Sequence, residues 1–247
     1  MMRVAILGSA RIPFARANTA YAELGNLEML TGAMKALVDK YALKGERLGE
    51  VAAGAVIKHS RDWNLTREAT QSSGLHPATP AYDVQRACGT SLTTVVQMAH
   101  RIQLGEIDCA IAAGADSASD IPLGFGRKLQ RIALESFRGR SFAERVRPWL
   151  HLRPGHLKPS APGVAEPRTG LSMGEHCEEM AKEWKIARAE QDELACASHR
   201  KAAAAWSAGF FSDLVFEFDG LKSDNNVRPD ASLEKLAALR PAFDRSP

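Results

Sequence analysis

Asp83–Val96 reads DVQRACGTSLTTVV, and the change of hydrophobic period inside and around it decides the fold class. Upstream, Ala81–Ala87 is a short run that fits a strand. Downstream, Leu92, Val95, Val96, Ala99 and Ile102 recur at three- and four-residue spacing, which predicts a helix. That helix stops at Gly105, where the absence of a Cβ eases the C-terminal turn. The same alternation repeats on both sides. Val4–Gly8 is a compact apolar run ending in Gly and Ser and is predicted as a buried strand. Leu24, Leu27, Leu30, Met34, Leu37 and Val38 predict an amphipathic helix through Lys40. Val51–Ile57 is predicted as a strand, Leu65–Ser73 as a short helix closed by Gly74, and Cys109–Ala115 as a very apolar strand. Strand and helix in alternation over residues 1–120 predict an α/β fold, a parallel or mixed sheet flanked by helices. The small residues of Ala81–Ala87 and Cys109–Ala115 point to burial on both sheet faces.

After Pro122 the character changes. Residues 124–158 are basic and helix-prone, and Pro154, Pro159, Pro162 and Pro167 punctuate a loop-rich connector. Glu175–Trp184 and Arg188–Ser207 are alanine-rich helical patterns, and Phe210–Phe218 alternates like a strand. Residues 121–240 therefore read as a helical insertion on the 1–120 core. There is no internal repeat or low-complexity tract.

The 247 residues (26.8 kDa) are 45% hydrophobic and 25% charged, an ordinary globular composition that excludes disordered and fibrous classes. No stretch approaches the roughly 18 uninterrupted apolar residues of a spanning helix, and the opening MMRVAILGSARIPFAR holds too short an apolar run for a signal peptide. A cytoplasmic location is the default expectation. The net charge is +3, but Arg127–Lys158 holds nine Lys/Arg against Glu135 and Glu144, so this block alone carries +7 and the remainder is slightly acidic. Phe125, Leu129, Ile132, Phe137, Phe142, Val146 and Leu150 interleave with those charges, giving basic amphipathic helices. Such helices suit an anionic cofactor, an acidic lipid surface or a partner, and equally a solvated face. Nucleic acid fits less well, because aromatics suited to stacking are few and no nucleic-acid motif occurs.

Four cysteines (Cys88, Cys109, Cys177, Cys196) occur without a CxxC pair, which argues against a disulfide framework or a zinc site. Cys88 falls where a strand gives way to a helix, and open α/β sheets bind ligands at the carboxyl ends of their strands. A helix N-terminus offers free N–H groups and partial positive charge, which favour thiolate chemistry. Thr90 and Ser91 are small and can satisfy the first free amides of the helix without filling the space above Cys88. Cys88 therefore reads either as a nucleophile or as a buried structural cysteine. Cys109, Cys177 and Cys196 are expected in core packing. None of the seven histidines is placed beside Cys88 by spacing, so none is assigned as its base. GSARIPFAR lacks the glycines of a dinucleotide fingerprint and no Walker sequence occurs, which weakens an NAD or ATP role.

RVAILGSARIPFAR, NLTREATQSSGL, VQRACGTS, AIAAGADSASDIP, GLSMGEHCEEMA, ARAEQDELACASHRKAAAAW and KLAALRPAFD occur in this order along the chain. Together they resemble a thiolase, a 3-ketoacyl-CoA or acetyl-CoA acyltransferase, over essentially the whole length. RACGTS, LGFGRKL and SDNNVRPDASLEKLAALRPAFDR resemble the long-chain type found in bacterial fatty-acid oxidation complexes and the mitochondrial trifunctional protein. The resemblance implies a thiolase-like mixed sheet and a Cys88 that takes the acyl group as a thioester. It implies that 121–240 is a loop domain covering coenzyme A, with Met173 and Gly174 beside the pantetheine and Arg228 against the adenine end. Ser172 stands where biosynthetic relatives often carry histidine. Acyl-CoA is implied as substrate, with no permanently bound cofactor and no metal. Implied partners are a second copy of the chain, a hydratase/dehydrogenase subunit of a β-oxidation complex, and an anionic membrane surface through 127–158.

A complete thiolase continues beyond PAFD into a Thr-Val-Thr-Ala strand and a second domain. That domain carries an Asn-Glu-Ala-Phe-type motif, a Gly-His-Pro histidine and a Cys-x-Gly acid/base cysteine. The resemblance implies that 241–247 is a shortened connection to that half, that a sheet edge is left open, and that this chain alone is close to inactive. The alternative is a non-catalytic acyl-CoA- or partner-binding module; a ketoacyl synthase fits less well, because of the Ser-Met-Gly segment and the paired helices after it.

Overall fold

The computed structural model describes residues 3–244, and the chain folds into two units: residues up to 120 together with those from 165 onward, and residues 121–164. In chain order the first 120 residues form α1 (Asn26–Lys40), β1 (Glu50–Ala53), α2 (Leu65–Ser72), β2 (Ala81–Asp83), α3 (Thr90–Gln103) and β3 (Ala110–Ala112). The 121–164 unit holds β4 (Gly124–Phe125), α4 (Arg127–Arg138), α5 (Phe142–Val146) and β5 (Pro159–Ser160). The chain then returns to the first unit through α6 (Met173–Glu183), α7 (Arg188–Ser207) and α8 (Leu233–Ala237).

The sheet has the order β2-β1-β3 with all strands parallel, Val51 standing opposite both Ala81 and Ile111. Pairing continues past the strand ends, where Val84 donates to the Ala53 carbonyl (2.8 Å), Ala113 to Ala52 (2.9 Å) and Ala115 to Gly54 (3.1 Å). The core gathers around β1. Leu30, Met34 and Val38 of α1 lie at the predicted helical spacing and meet Leu65 and Ala69 of α2, Val51 and Ala53 of β1, and Ile111 of β3. Each large aliphatic side chain so buried contributes about 1.5–3 kcal/mol. α1 begins at Gly25, whose N–H donates to the Glu28 carboxylate at 3.0 Å and so satisfies a donor that the helix itself leaves free.

Several expectations are corrected. Val4–Gly8 forms no strand, and Ile6 and Leu7 are each 82% exposed. A buried strand needs a neighbour for its N–H and C=O groups, and none of the described residues supplies one. The strand buried throughout is β1; β2 and β3 are only partly covered because each borders β1 on one side only. Phe210–Phe218 forms no strand: turns follow Gly209, which adopts the left-handed conformation (φ +72°) at the end of α7, and Val215 makes only an isolated parallel bridge with Arg11. The aromatic residues of the segment pack instead of alternating, with the Phe211 ring 4.8 Å from Trp206 and 5.2 Å from Phe210. Cys109 and Cys177 are exposed, not packed: the first precedes edge strand β3, and the second lies on α6, which fully buries none of its residues. Cys196 is buried, with its thiol reaching the Ala231 carbonyl at 3.5 Å.

Residues from 165 onward, read from sequence as part of a 121–240 insertion, fold with the first 120 residues. Arg11 is the tie. Its guanidinium grips the Asp224 carboxylate at 2.7 and 2.9 Å and lies over the rings of Phe14 (4.4 Å) and Phe211 (5.4 Å). Asp224 also accepts from the Phe14 N–H (2.7 Å) and the Trp206 indole (3.3 Å). Burial alone pushes the Asp224 carboxyl up, but Arg11 and these donors outweigh it and hold it below the usual carboxylate range.

In the 121–164 unit, β4 pairs antiparallel with β5, and α4 turns Leu129 and Ile132 inward. The Trp149 indole donates to the Ser136 hydroxyl at 2.9 Å. Phe137 is 86% exposed and Phe142 84%, and Leu134 and Leu150 are exposed as well. Among the described residues no helix is long and apolar enough to cross a membrane.

Candidate active site

Because β1, β2 and β3 run parallel, their carboxyl ends lie together, and the segments that leave them are stitched side to side. Asp116, just past β3, accepts from the backbone N–H groups of Val56 (2.9 Å) and Ile57 (2.8 Å) beyond β1. Gln85, just past β2, donates from its side chain to the Val56 carbonyl at 3.2 Å. Asp83 at the end of β2 pairs with Lys58 (2.5 Å) and caps α2 by accepting from Leu65 N (3.2 Å) and Thr66 N (2.7 Å). Burial raises the Asp83 carboxyl, yet Lys58 and Thr66 outweigh this and keep it below its ordinary value.

Cys88 stands at the crest of the turn between β2 and α3. Ala87 before it has φ +44°, the left-handed region that costs a residue with a Cβ about 1–2 kcal/mol. The turn is closed by Gly89 N to the Arg86 carbonyl (3.0 Å) and Thr90 N to the Ala87 carbonyl (3.1 Å). Gly89 is the N-cap of α3, so Cys88 sits at the positive end of a fourteen-residue helix, and it is exposed. Two glycines let the start of α3 approach the sheet this closely. A Cβ on Gly54 would lie 1.9 Å from the Val84 carbonyl oxygen, and one on Gly114 would lie 2.1 Å from the Ser91 hydroxyl. Along α3, Leu92 and Val96 are exposed apolar residues.

Five of the seven histidines have partners of their own away from Cys88, among them His156, which accepts from Arg153 N at 3.3 Å. His59 pairs with Asp120 (2.9 Å), His76 caps its own turn at Ala78 N (3.1 Å), His176 meets the Thr169 hydroxyl (3.3 Å) and His199 accepts from Arg228 N (3.3 Å). Met173 is the first residue of α6 and 67% exposed. Gly174 follows it beneath the Phe243 ring, so close that a Cβ would lie 1.8 Å from that ring. Ser172 is occupied in α6's own N-terminal cap, its hydroxyl 2.7 Å from the Glu175 carboxylate and 3.3 Å from the Glu175 N–H. The Arg228 side chain is exposed. No hydrogen bond or ion pair among the described residues joins Cys88 to Met173, Gly174 or Arg228. No group of His, Cys, Asp or Glu among the described residues is arranged to hold a metal ion.

Two features of this site escaped the sequence reading. Asp116 as a clasp, and Gly54 with Gly114 as the hollows that admit α3, are visible only once the strand ends are aligned. The Thr90 hydroxyl, expected to satisfy the first free amides of α3, instead reaches back four residues and accepts from Arg86 N.

Comparison with known proteins identifies the family and the fold. The sequence model for the thiolase N-terminal domain matches residues 4–246. A 3-ketoacyl-CoA thiolase of Erwinia tasmaniensis is 38% identical, and one of Pectobacterium carotovorum subsp. carotovorum 39% identical, each match covering 98% of this chain. The chain spans 57% of the length of each of these curated relatives. The crystal structure of the Bacillus anthracis acetyl-CoA acetyltransferase superposes with a TM-score of 0.77 at 24% identity, covering 96% of this chain and 58% of that one. That likeness establishes the α/β fold.

Proposed function

The chain belongs to the thiolase family, and we propose that it carries the nucleophile of an acyltransferase that cleaves 3-ketoacyl-CoA, or runs the reverse Claisen condensation. The supporting observation is the exposed Cys88 on its strained turn at the head of α3. In the cleaving direction the Cys88 sulfur bonds to the 3-keto carbon and the bond between carbons 2 and 3 breaks. Acetyl-CoA leaves after its carbon 2 takes up a proton. The shortened acyl group remains as a thioester on Cys88 until the thiol of free CoA attacks it, and the sulfur is regenerated. The backbone N–H of Cys88, at the helix head, is suited to hold the oxyanion of each tetrahedral intermediate. Met173, Gly174 and Arg228 are the proposed contacts to CoA, which is a substrate and not a resident cofactor.

An alternative is a module that binds acyl-CoA or a partner without turnover; what favours it is that the histidines named above are committed away from Cys88. The deciding experiment supplies acetoacetyl-CoA and CoA to the chain alone, and to the chain with a polypeptide matching the remaining length of its relatives. Turnover on mixing, accompanied by an acyl adduct on Cys88 in the mass spectrum, is the expected result. CoA binding with neither adduct nor turnover in either sample would leave the module reading.

The family reading extends to a homo-oligomer, to a hydratase/dehydrogenase partner subunit and to a place in cytoplasmic fatty-acid β-oxidation. In the 121–164 unit, exposed Phe137, Phe142 and Leu150 lie among the basic side chains of 127–158, a combination suited to an anionic lipid surface. Each basic side chain near such a surface contributes about 1 kcal/mol. Binding to phosphatidylcholine vesicles that contain phosphatidylglycerol, weakened by salt and absent with phosphatidylcholine alone, is the expected outcome. If reversing the charges of Arg138, Arg140, Arg145 and Arg147 leaves binding intact, this surface is not the one used.

A further inference from the structure

We propose that Thr90 is a positioning residue for Cys88, its hydroxyl locking the left-handed turn that raises the sulfur; this rests on Cys88 being the nucleophile. Thr90 is the first residue of α3 and 4% exposed. Its Oγ1 accepts from the Arg86 N–H at 2.9 Å and donates to the Ala87 carbonyl at 2.7 Å. The single hydroxyl therefore fastens both the residue that enters the turn and the strained residue at its centre. Its methyl group faces β1, where a Cβ on Gly54 would lie 3.0 Å from Cγ2. The side chain is thus held from the turn on one side and from the sheet on the other.

Ala87 has no conformational reason of its own to stay at φ +44°, because its Cβ disfavours that region. The two backbone bonds that close the turn both have their donors on the helix side, Gly89 N and Thr90 N. The Arg86 N–H is caught by the Thr90 hydroxyl. Without that hydroxyl a backbone donor is left unmatched at the foot of the turn, and relaxation of Ala87 toward negative φ moves Cys88 away from the head of α3. Valine at position 90 keeps the shape and the methyl contact while removing both hydroxyl bonds. Serine keeps the bonds and gives up the methyl.

The test uses iodoacetamide on the 247-residue chain, with the rate at each cysteine read by mass spectrometry. Exposed Cys109 and Cys177 are internal references, and buried Cys196 stays unmodified while the protein is folded. Cys88 is expected to react about tenfold faster than either reference, a margin that one well-placed polar contact commonly supplies. Thr90→Val is expected to bring Cys88 down to the reference rate, and Thr90→Ser to remain within about twofold of the wild-type rate, since the bond and not the bulk is what it preserves. If Cys196 becomes reactive in Thr90→Val, Thr90→Ala carries the same comparison with less crowding. A fast Cys88 that is unchanged in the variants lacking the hydroxyl overturns the role of Thr90 and leaves the nucleophile reading standing. Equal loss in Thr90→Ser assigns the effect to packing and overturns it too. A wild-type Cys88 no faster than the references removes both readings.

Discussion

The sheet-centred core and the 121–164 unit are built from similar amphipathic periodicities and end in opposite states. In the core, Leu30, Met34, Val38 and Leu65 lie on the inward faces of α1 and α2 and are fully buried against β1. In the 121–164 unit, α4 carries an apolar stripe as regular as that of α1, yet only Leu129 and Ile132 are buried, and Phe137 and Phe142 face outward. Size accounts for the difference. A three-stranded sheet with helices packed on it encloses an interior, whereas about forty residues cannot bury most of their apolar surface on their own. Periodicity says that a helix has an apolar face; it does not say that the same chain covers it.

The sharpest way to break this contrast is to separate chemistry from surface. Cys88→Ala is expected to lower thiolysis by the complemented enzyme by about 10⁴-fold or more, as loss of a nucleophile does, while vesicle binding stays at the wild-type level. Reversal of the four arginines of the basic unit should do the opposite. If either change removes both properties, the two regions do not act separately. Next in size is a stability pair followed by urea unfolding. Leu65→Ala is expected to destabilise the protein by about 2–5 kcal/mol, against less than about 0.5 kcal/mol for Phe137→Ala. Comparable losses would mean that the face of Phe137 is covered.

A smaller effect is expected at the tie between the N-terminal segment and the 211–225 turns. Asp224→Asn should cost about 1–3 kcal/mol, since Arg11 keeps its charge without a carboxylate. The pH dependence has a definite sign. The Asp224 carboxyl is held below its ordinary value in the folded protein, so its contribution is complete above that ordinary value and disappears as pH falls through the lowered one. Urea midpoints measured down an acid series should therefore converge for wild type and Asp224→Asn. Parallel curves would show that the carboxylate gains nothing from Arg11. A smaller loss than at Asp224 is expected at the cap of α2, where Asp83→Asn should cost about 0.5–1 kcal/mol because asparagine caps nearly as well and only the Lys58 pair is lost. A loss several times larger would point to Asp83 as a strut of the whole sheet end.

How legible all this was from sequence varies with the range of the interaction that decides it. α1, α2 and α3 were evident because each helix displays its own period, and Cys88 at a strand-to-helix junction was evident for the same reason. Val4–Gly8 was misjudged because being a strand depends on a neighbour, which no local pattern reports. Phe210–Phe218 was misjudged because its alternation serves an aromatic cluster near Arg11 instead of a sheet face. Cys109 and Cys177 show that an apolar neighbourhood in sequence is no measure of cover in space. The left-handed Ala87 gave no sign at all, since nothing in an alanine side chain favours that region.

The bond between Arg11 and Asp224 spans 213 positions in the sequence, and this has a consequence for how the protein is made. A ribosome delivers the chain from its N-terminus, so Arg11, Phe14 and the residues around them emerge long before their partners. α1, the sheet and α3 draw on contacts already synthesised and can assemble early. The N-terminal segment has to wait, its guanidinium facing water, until the tract that holds Trp206, Phe211 and Asp224 has emerged, so the closing of that seam follows the synthesis of the whole sheet.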